Sequence, residues 1–399
     1  MKKGWQTKTL GEVCEVFADG DWIESKDQSS EGIRLIQTGN VGEGVFKDRA
    51  EKARYISEAT FKRLRCTEIV DGDCLVSRLP DPVGRSCILP DTGERMITAV
   101  DCTILRFNPK HLLPTFFNLF SQSDDYLTTV AKECTGTTRN RISRSNLGLT
   151  PIPVPPLPEQ QRIVGLLDET FEGLATAKAN AEKNLQNARA LFESHLQSVF
   201  NQRGPGWVEK HVSEIAKHSL GKMLDKAKNK GELQPYLRNI NVRWFTFDLS
   251  DLLEMPFLPT ESEKYTAIKG DVLICEGGYP GRAAIWNEDY PIYFQKALHR
   301  VRFHEPELNK WFVYYLSVQD SSGQLKQYFS GTGIQHFTGE VLARFPIPVP
   351  PLPELRRAVE TFDALSAETQ RLAAIYSRKH AALDALKKSL LHQAFTGAL

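Results

Sequence analysis

Pro151-Ile152-Pro153-Val154-Pro155-Pro156-Leu157-Pro158-Glu159 recurs without a change at positions 346–354, 195 residues later. A nine-residue identity that carries five prolines marks the chain as a tandem duplication. Prolines at this density exclude a helix interior or a central strand, because each removes a backbone donor and fixes φ. They impose an extended, polyproline-like path with little conformational entropy left to lose on folding. Glu159 follows Pro158 in what should be the first turn of a helix, where proline is tolerated and a carboxylate meets the positive helix end. Each copy is therefore a stiff joint between a globular part and a helix.

Downstream of the first joint, residues 159–201 predict one long helix. Leu167, Phe171, Leu174, Ala181, Leu185, Ala188, Phe192, Leu196 and Val199 keep a 3–4 spacing with a polar break at Lys178. At 1.5 Å per residue it would span roughly 60 Å. So narrow an apolar stripe on so long a helix asks for a partner helix. Asn201-Gln202-Arg203-Gly204-Pro205-Gly206 ends it. The second joint opens a matching helix over 354–395, with Val359, Phe362, Leu365, Leu372, Tyr376, Leu383, Leu386 and Leu390 as its stripe.

Upstream of each joint, short apolar runs alternate with Gly, Asp and Pro, which predicts mostly β structure. Candidate strands lie at 32–36, 74–78, 97–100 and 103–107, with short helices at 114–120 and 126–131. The second half repeats these signals. Gly206-Trp207 mirrors Gly4-Trp5, Leu237-Arg238-Asn239-Ile240-Asn241-Val242 echoes 36–41, and Gly281-Arg282 echoes Gly84-Arg85. Ser330-Gly331-Thr332 matches Thr135-Gly136-Thr137. From that Gly-Thr segment to the helix end the offset stays at 195; before it the offset drifts from 202, so insertions and deletions lie inside the globular parts. One part of the repeat keeps its geometry while the other keeps a fold and presents two different surfaces, as two similar readers of two different targets would.

The expected fold class is α+β: two mostly-β domains in tandem, each followed by a long helix, with the helices pairing as an antiparallel coiled coil about a pseudo-two-fold axis. The expected boundaries are 1–158 and 204–353 for the β domains with their joints, and 159–203 and 354–399 for the helices.

Composition is that of an ordinary globular chain of 399 residues, with 41% hydrophobic and 25% charged residues. Fifty Lys and Arg against 49 Asp and Glu give no overall field, so nucleic acid could be met only through local patches. Seven scattered cysteines with no C-x-x-C and no zinc spacing read as reduced thiols in a cytoplasmic protein. The start MKKGWQTKTLGEVCE has no signal-peptide core, and no run of apolar residues is long enough to span a membrane.

No catalytic signature is present: no phosphate-binding loop, no methyltransferase motif, no nucleophile elbow and no H-E-x-x-H. His218, His299 and His304 do not cluster in sequence and read as surface or core residues. The segments best suited to nucleic acid are 135–144 and 330–338. The first offers Thr137, Thr138, Arg139, Asn140, Arg141 and Arg144, side chains that clamp phosphates and read guanine or adenine edges; the second offers Thr332, Gln335 and His336. Arg78, Arg85 and Arg282 follow predicted strands and are further candidates, as is Tyr279 in the glycine-rich stretch 276–282. That stretch reads as a tight loop between strands or as a loop approaching a ligand. Lys222 begins a basic run with Lys226, Lys228 and Lys230 that is either a phosphate patch or a solvated face.

Taken together, the two joints, the first continuing Gln160-Gln161-Arg162-Ile163, the G-W-x-x-x-x-L-x-E-V start and the Gly-Thr segment closely resemble the specificity subunits of type I restriction–modification systems (HsdS type), over essentially the whole chain. The second copy departs from that pattern at Leu355-Arg356, where the glutamine is missing. The resemblance implies two target recognition domains, each reading one half of a bipartite double-stranded DNA target, and helices that set the spacing and dock two methyltransferase subunits. Endonuclease/translocase subunits would join for cleavage. It implies a non-catalytic chain that binds no cofactor itself, with S-adenosylmethionine, ATP and Mg2+ in the partner subunits. Contacts to partners are expected at the joints, through Pro155, Pro156, Gln160, Arg162, Pro350, Pro351 and Arg357. The competing expectations are a fused or stand-alone restriction or methylation enzyme, and a coiled-coil adaptor that reads no DNA.

Overall fold

The computed structural model describes residues 4–136, 140–225 and 229–399. The chain forms two compact units, Met1–Glu182 with Ser377–Leu399, and Lys183–Tyr376. The long helices, Leu157–Asn201 and Leu352–Thr396, are 45 residues each and are divided between the two units. They therefore do not stand apart as separate helical domains.

Each joint is a strand. Pro151–Val154 pairs antiparallel with Gln6–Thr9, and Pro346–Val349 pairs the same way with Val208–His211. In an antiparallel strand the N–H and C=O groups of alternate residues point to opposite edges. Proline at 151 and 153 leaves only Ile152 and Val154 with a donor, so a single edge of the strand can pair fully. The same alternation places Ile152 and Val154 in the core while Pro151 stays exposed. The pattern thus encodes a two-stranded edge pair rather than a free linker, and each pair ties the first strand of a domain to the start of its helix.

The rest of each domain repeats one topology. In the first unit, an antiparallel sheet runs in the order Cys14–Asp19, Cys102–Phe107, Cys74–Ser77, Ser86–Ile88. In the second, the order is Ala216–Leu220, Leu298–Phe303, Val272–Cys275, Ala283–Ile285. A second sheet in each unit contains one parallel pair, Ile33–Ile36 with Met96–Thr98 and Glu232–Leu237 with Ile292–Phe294. A bidentate ion pair is also kept: Arg106 holds Asp73 through two bonds of 2.7 Å, and Arg302 holds Asp271 through two of 2.7 Å. Such forked pairs fix a strand edge by geometry as well as charge.

Each core takes the beginning of one long helix and the end of the other. In the first unit, Ile163 and Leu167 pack with Leu391 and Phe395 over Phe116 and Phe117. In the second, Leu355 and Phe362 pack with Leu196 and Phe200 over Trp311 and Phe312. Phe395 meets Phe116 and Phe120 at 5.2 and 5.1 Å, and Phe200 meets Trp311 at 4.5 Å. Within each unit the two helical segments therefore run antiparallel. Away from these ends the stripe is mostly half-buried, although Ala181 is fully buried, and Leu386, expected within it, is exposed. The Lys178 break is an ion pair with Asp384.

The glutamine expected to meet partner subunits faces inward instead. Gln160 is fully buried; its Oε1 accepts from the Leu113 N–H at 2.9 Å and its Nε2 donates to the carbonyls of His111 and Pro155, both at 2.8 Å. In the second unit the equivalent Leu355 is core, and tryptophans do the tying: Trp311 Nε1 donates to the Pro348 carbonyl at 2.7 Å and Trp207 Nε1 to Glu354 Oε1 at 2.9 Å. Replacing Gln160 by leucine should therefore not reproduce the second joint. It strands one backbone donor and two acceptors, and should lower stability by about 2–4 kcal/mol in urea unfolding. A change under about 0.5 kcal/mol, the size of an ordinary surface substitution, would show that Gln160 does not hold the joint.

Candidate nucleic-acid interface

In the two antiparallel four-stranded sheets the loops that carry the sequence-predicted residues leave from one end. In the first unit these are 20–24, 78–85 and 99–101, with the paired residues Thr135 and Arg141 laid against them. Backbone bonds stitch them together: Arg78 N–H donates to the Asp101 carbonyl at 2.9 Å, Val100 N–H to Asp21 at 3.0 Å, and Ile142 N–H to Arg78 at 3.3 Å. The second unit repeats the stitching with 221–225, 276–282, 295–297 and 330–336. There Glu276 N–H donates to Ala297 at 2.9 Å, Lys296 N–H to Lys222 at 2.9 Å and Phe337 N–H to Glu276 at 2.7 Å.

The closing pairs have one design. Thr135 and Arg141 exchange two backbone bonds of 2.9 and 3.0 Å, and Ser330 and His336 exchange two of 2.9 Å. Gly331 is needed for the turn: its φ is +104°, and a Cβ there would stand 2.3 Å from the Ile334 carbonyl oxygen. Ser143 and Thr338 then cap the short helices that follow, accepting from Asn146 and Val341.

Thr137, Thr138, Arg139, Lys226 and Lys228 lie outside the described residues. Asn140 and Arg144 are exposed and Arg141 is half-exposed. Arg141 stands 3.0 Å from Asp101 and Arg144 stands 3.9 Å from Asp19. The guanidiniums are half-exposed while their carboxylate partners are largely covered, so the pairs orient the arginines at the surface. On the second edge Thr332 and Gln335 are exposed and His336 is half-buried. Tyr279 is exposed, and the Arg282 guanidinium lies 4.0 Å from its ring centre, forming a cation–π stack at the surface.

Three candidates turn out to be internal braces. Arg85 is buried and donates to the carbonyls of Val41, Leu79, Pro82 and Thr38 at 2.7–3.0 Å. Arg282, its counterpart, keeps one of these bonds, to the Asn239 carbonyl at 3.0 Å. Arg78 is buried between the Val100 carbonyl and Asp19, 3.1 Å away. Burial pulls both Arg78 and Arg85 below the ordinary arginine pKa, and arginine's wide margin keeps them charged. Lys222 is buried too, bonded to the Pro256 carbonyl at 2.9 Å and Glu261 at 2.6 Å, so it forms no phosphate patch.

Two features of this edge escaped the sequence reading. Trp22 and Met223 are 69% and 63% exposed, each two residues after the glycine, Gly20 or Gly221, that ends the first strand of its sheet. The matched triplets Gly20-Asp21-Trp22 and Gly221-Lys222-Met223 were the available signal. The second is a reversal of charge, with Glu276 buried where the first unit buries Arg78. Among the described residues no group of three or more His, Cys, Asp or Glu could hold a metal ion, and all seven cysteines are free thiols. None of the described helices is long and apolar enough to cross a membrane.

These features define a tandem α+β protein with two loop-bearing edges built on one framework. The family described as type I restriction modification DNA specificity domain matches residues 2–185 and 205–376, and the chain belongs to that family. It is 21% identical over its full length to a putative type I restriction enzyme specificity subunit, MjaX, of Methanocaldococcus jannaschii, covering 94% of that protein. It is 22% identical to the EcoKI specificity subunit of Escherichia coli, over 75% of this chain and 68% of that one. Among solved structures, a chain described in work on assembly and conformational transition of the type I R-M system matches with a TM-score of 0.81 at 21% identity, over 100% and 99% of the two chains. The HsdS subunit of Thermoanaerobacter tengcongensis matches with a TM-score of 0.63 at 20% identity, over 100% and 98%.

A buried histidine lies under the second edge. His299 is buried on the strand Leu298–Phe303, and burial first, then neighbouring His218 and Lys296, push its pKa down to about 4. The folded chain holds it neutral while the unfolded chain protonates near 6.5. Its stability contribution is therefore full above pH 6.5 and is lost as pH falls toward 4. Between pH 7 and 5 the loss should be on the order of 2 kcal/mol. Melting curves at the two pH values should show it, and His299→Gln should remove that part of the pH dependence. An equal pH dependence in the variant would contradict the assignment.

Proposed function

We propose that this chain is the DNA-recognition subunit of a type I restriction–modification complex in the cytoplasm, with each loop-bearing edge reading one half of a bipartite double-stranded target. The observation that carries the reading is the repeat itself. The stitching of the loops, the hairpin closure and the arginine brace are kept, while the side chains presented differ from one edge to the other. On the first edge Asn140, Arg141 and Arg144 suit hydrogen bonds to base edges and phosphates. On the second the Arg282–Tyr279 stack, Thr332, Gln335 and His336 offer a different set, which suits a different half-site.

The near-neutral chain need not bind DNA strongly alone, since partner subunits can supply the salt-dependent phosphate contacts. Two methyltransferase subunits are the expected partners, with endonuclease/translocase subunits for cleavage, and S-adenosylmethionine, ATP and Mg2+ belong to those chains. Of the joint residues, Pro156, Pro351, Arg162 and Arg357 are exposed and remain candidates for partner contact, whereas Pro155, Pro350 and Gln160 are buried. Arg162 is also bound to Glu159 and to the Leu399 carbonyl.

The helices that follow the joints would set the gap between the half-sites. The test is to express the chain with its modification subunits and map methylated adenines. The expected target is two short sequences separated by a fixed unread gap. Inserting four residues near Asn180, about 6 Å of helix, should change the gap and leave both half-sites as they were. An uninterrupted target, or a gap that survives the insertion, would contradict the proposal.

A further inference from the structure

The first unit contains a basic cavity beside the turn Thr38–Asn40. It has a volume of about 430 Å³ and is lined by Arg34, Gln37, Asn40, Arg49, Lys52 and Arg54, with backbone from the same segments. Its cations are of two kinds. Arg34 is buried and committed, to Asp48 and to Glu94 at 2.9 Å. Arg49, Lys52 and Arg54 are exposed, and among the described residues no ion pair or side-chain hydrogen bond engages them.

Arg49 forms one wall of the cavity. Arg49 adopts a left-handed backbone, φ 51° and ψ 44°, which few non-glycine residues take. The guanidinium lies against Gly39, where a Cβ would come within 2.2 Å of Nη1. The floor is the turn Thr38–Asn40, held from below by Arg85 through the Thr38 and Val41 carbonyls. Arg85 ends the 78–85 loop, so the cavity opens beside the loop-bearing edge of its own unit.

The second unit shows what the same place looks like when it is neutralised. Its matching turn is Asn239–Asn241, and the arginines around it are paired, Arg238 with Asp251 at 2.7 Å and Arg243 with Asp248 at 3.4 Å. The first unit pairs only the buried arginine and leaves the rim cationic.

Given the DNA-reading role proposed for the chain, we infer that this cavity clamps a backbone phosphate of the DNA flanking the first half-site, with Arg49 and Arg54 as its forked donors and Lys52 as a point charge. Arginine's planar fork matches two phosphate oxygens, and unpaired cations around a preformed hollow need shed no carboxylate partner first. The contact fixes position and carries no sequence information. The first recognition domain therefore grips DNA beyond the bases it reads.

Salt dependence measures this directly. Each neutralised phosphate adds about 0.9 to the slope of log affinity against log salt concentration. The full chain with its modification subunits is titrated against a duplex carrying its mapped target, from low to moderate salt. The variant R49Q/R54Q should lower the slope by about 0.9 and weaken target and non-target duplexes alike. Lys269→Gln, on the surface of the second unit and paired with Asp289, should leave the slope unchanged. The substituted arginines are exposed, so folding is expected to persist, which a melting curve checks. An unchanged slope in R49Q/R54Q, with the unaltered complex still binding its target, would overturn the inference. Tight uptake of inorganic phosphate that R49Q/R54Q abolishes while the slope stays put would assign the cavity to a free anion and overturn it equally. Failure of the unaltered complex to prefer its target would instead sink the DNA-reading role itself.

Discussion

Proline has no backbone donor, and the organisation of this chain depends on where those missing donors fall. At every second position of the joint, prolines leave a strand with one edge able to pair fully. That edge is taken by the first strand of the same domain, Gln6–Thr9 or Val208–His211. The start of each β domain and the start of the helix that follows it are thereby fastened together. The strand Cys14–Asp19 then leads away from the joint for six residues, about 20 Å, and the loops gather at its far end. A rigid base and a variable edge are consequences of one strand pairing.

Above that base the two units keep what holds backbone and change what meets a ligand. The forked Arg106–Asp73 and Arg302–Asp271 pairs are retained, as is an arginine bracing the turn beside the reading edge. Gln160 has given way to Leu355, and the tying shifts from an amide to two indoles. Arg78 has given way to Glu276, and the Asp19 that pairs with Arg78 to Leu220 on the matching strand. Charge under the loops can thus be rebuilt without disturbing the stitching, because the stitching is made by backbone groups. A framework of this kind allows one recognition surface to change while the other is left alone.

Much of the fold was legible because its signals are local. The joints, the helix stripes, the strands and the 195-residue offset are all written in runs of a few residues. The joint's own strand character was not, since proline usually argues against sheet, and only the partner strand turns alternate prolines into a usable edge. The candidate site was less legible. Arg85, Arg78 and Lys222 look in sequence like any surface cation after a strand, and only three-dimensional neighbours reveal that carbonyls and carboxylates occupy them. Arg49 and Arg54 lay in a stretch with no motif, and that they line one cavity with Arg34 is a tertiary fact.

The central claim is that each β domain reads its own half-site independently of the other. The most direct measurement replaces residues 1–150 by the equivalent domain of a specificity subunit with a different known target and maps methylated adenines by sequencing. One half of the methylated sequence should change to that of the donor, while the other half and the gap remain. Alteration of both halves by this one replacement would contradict it.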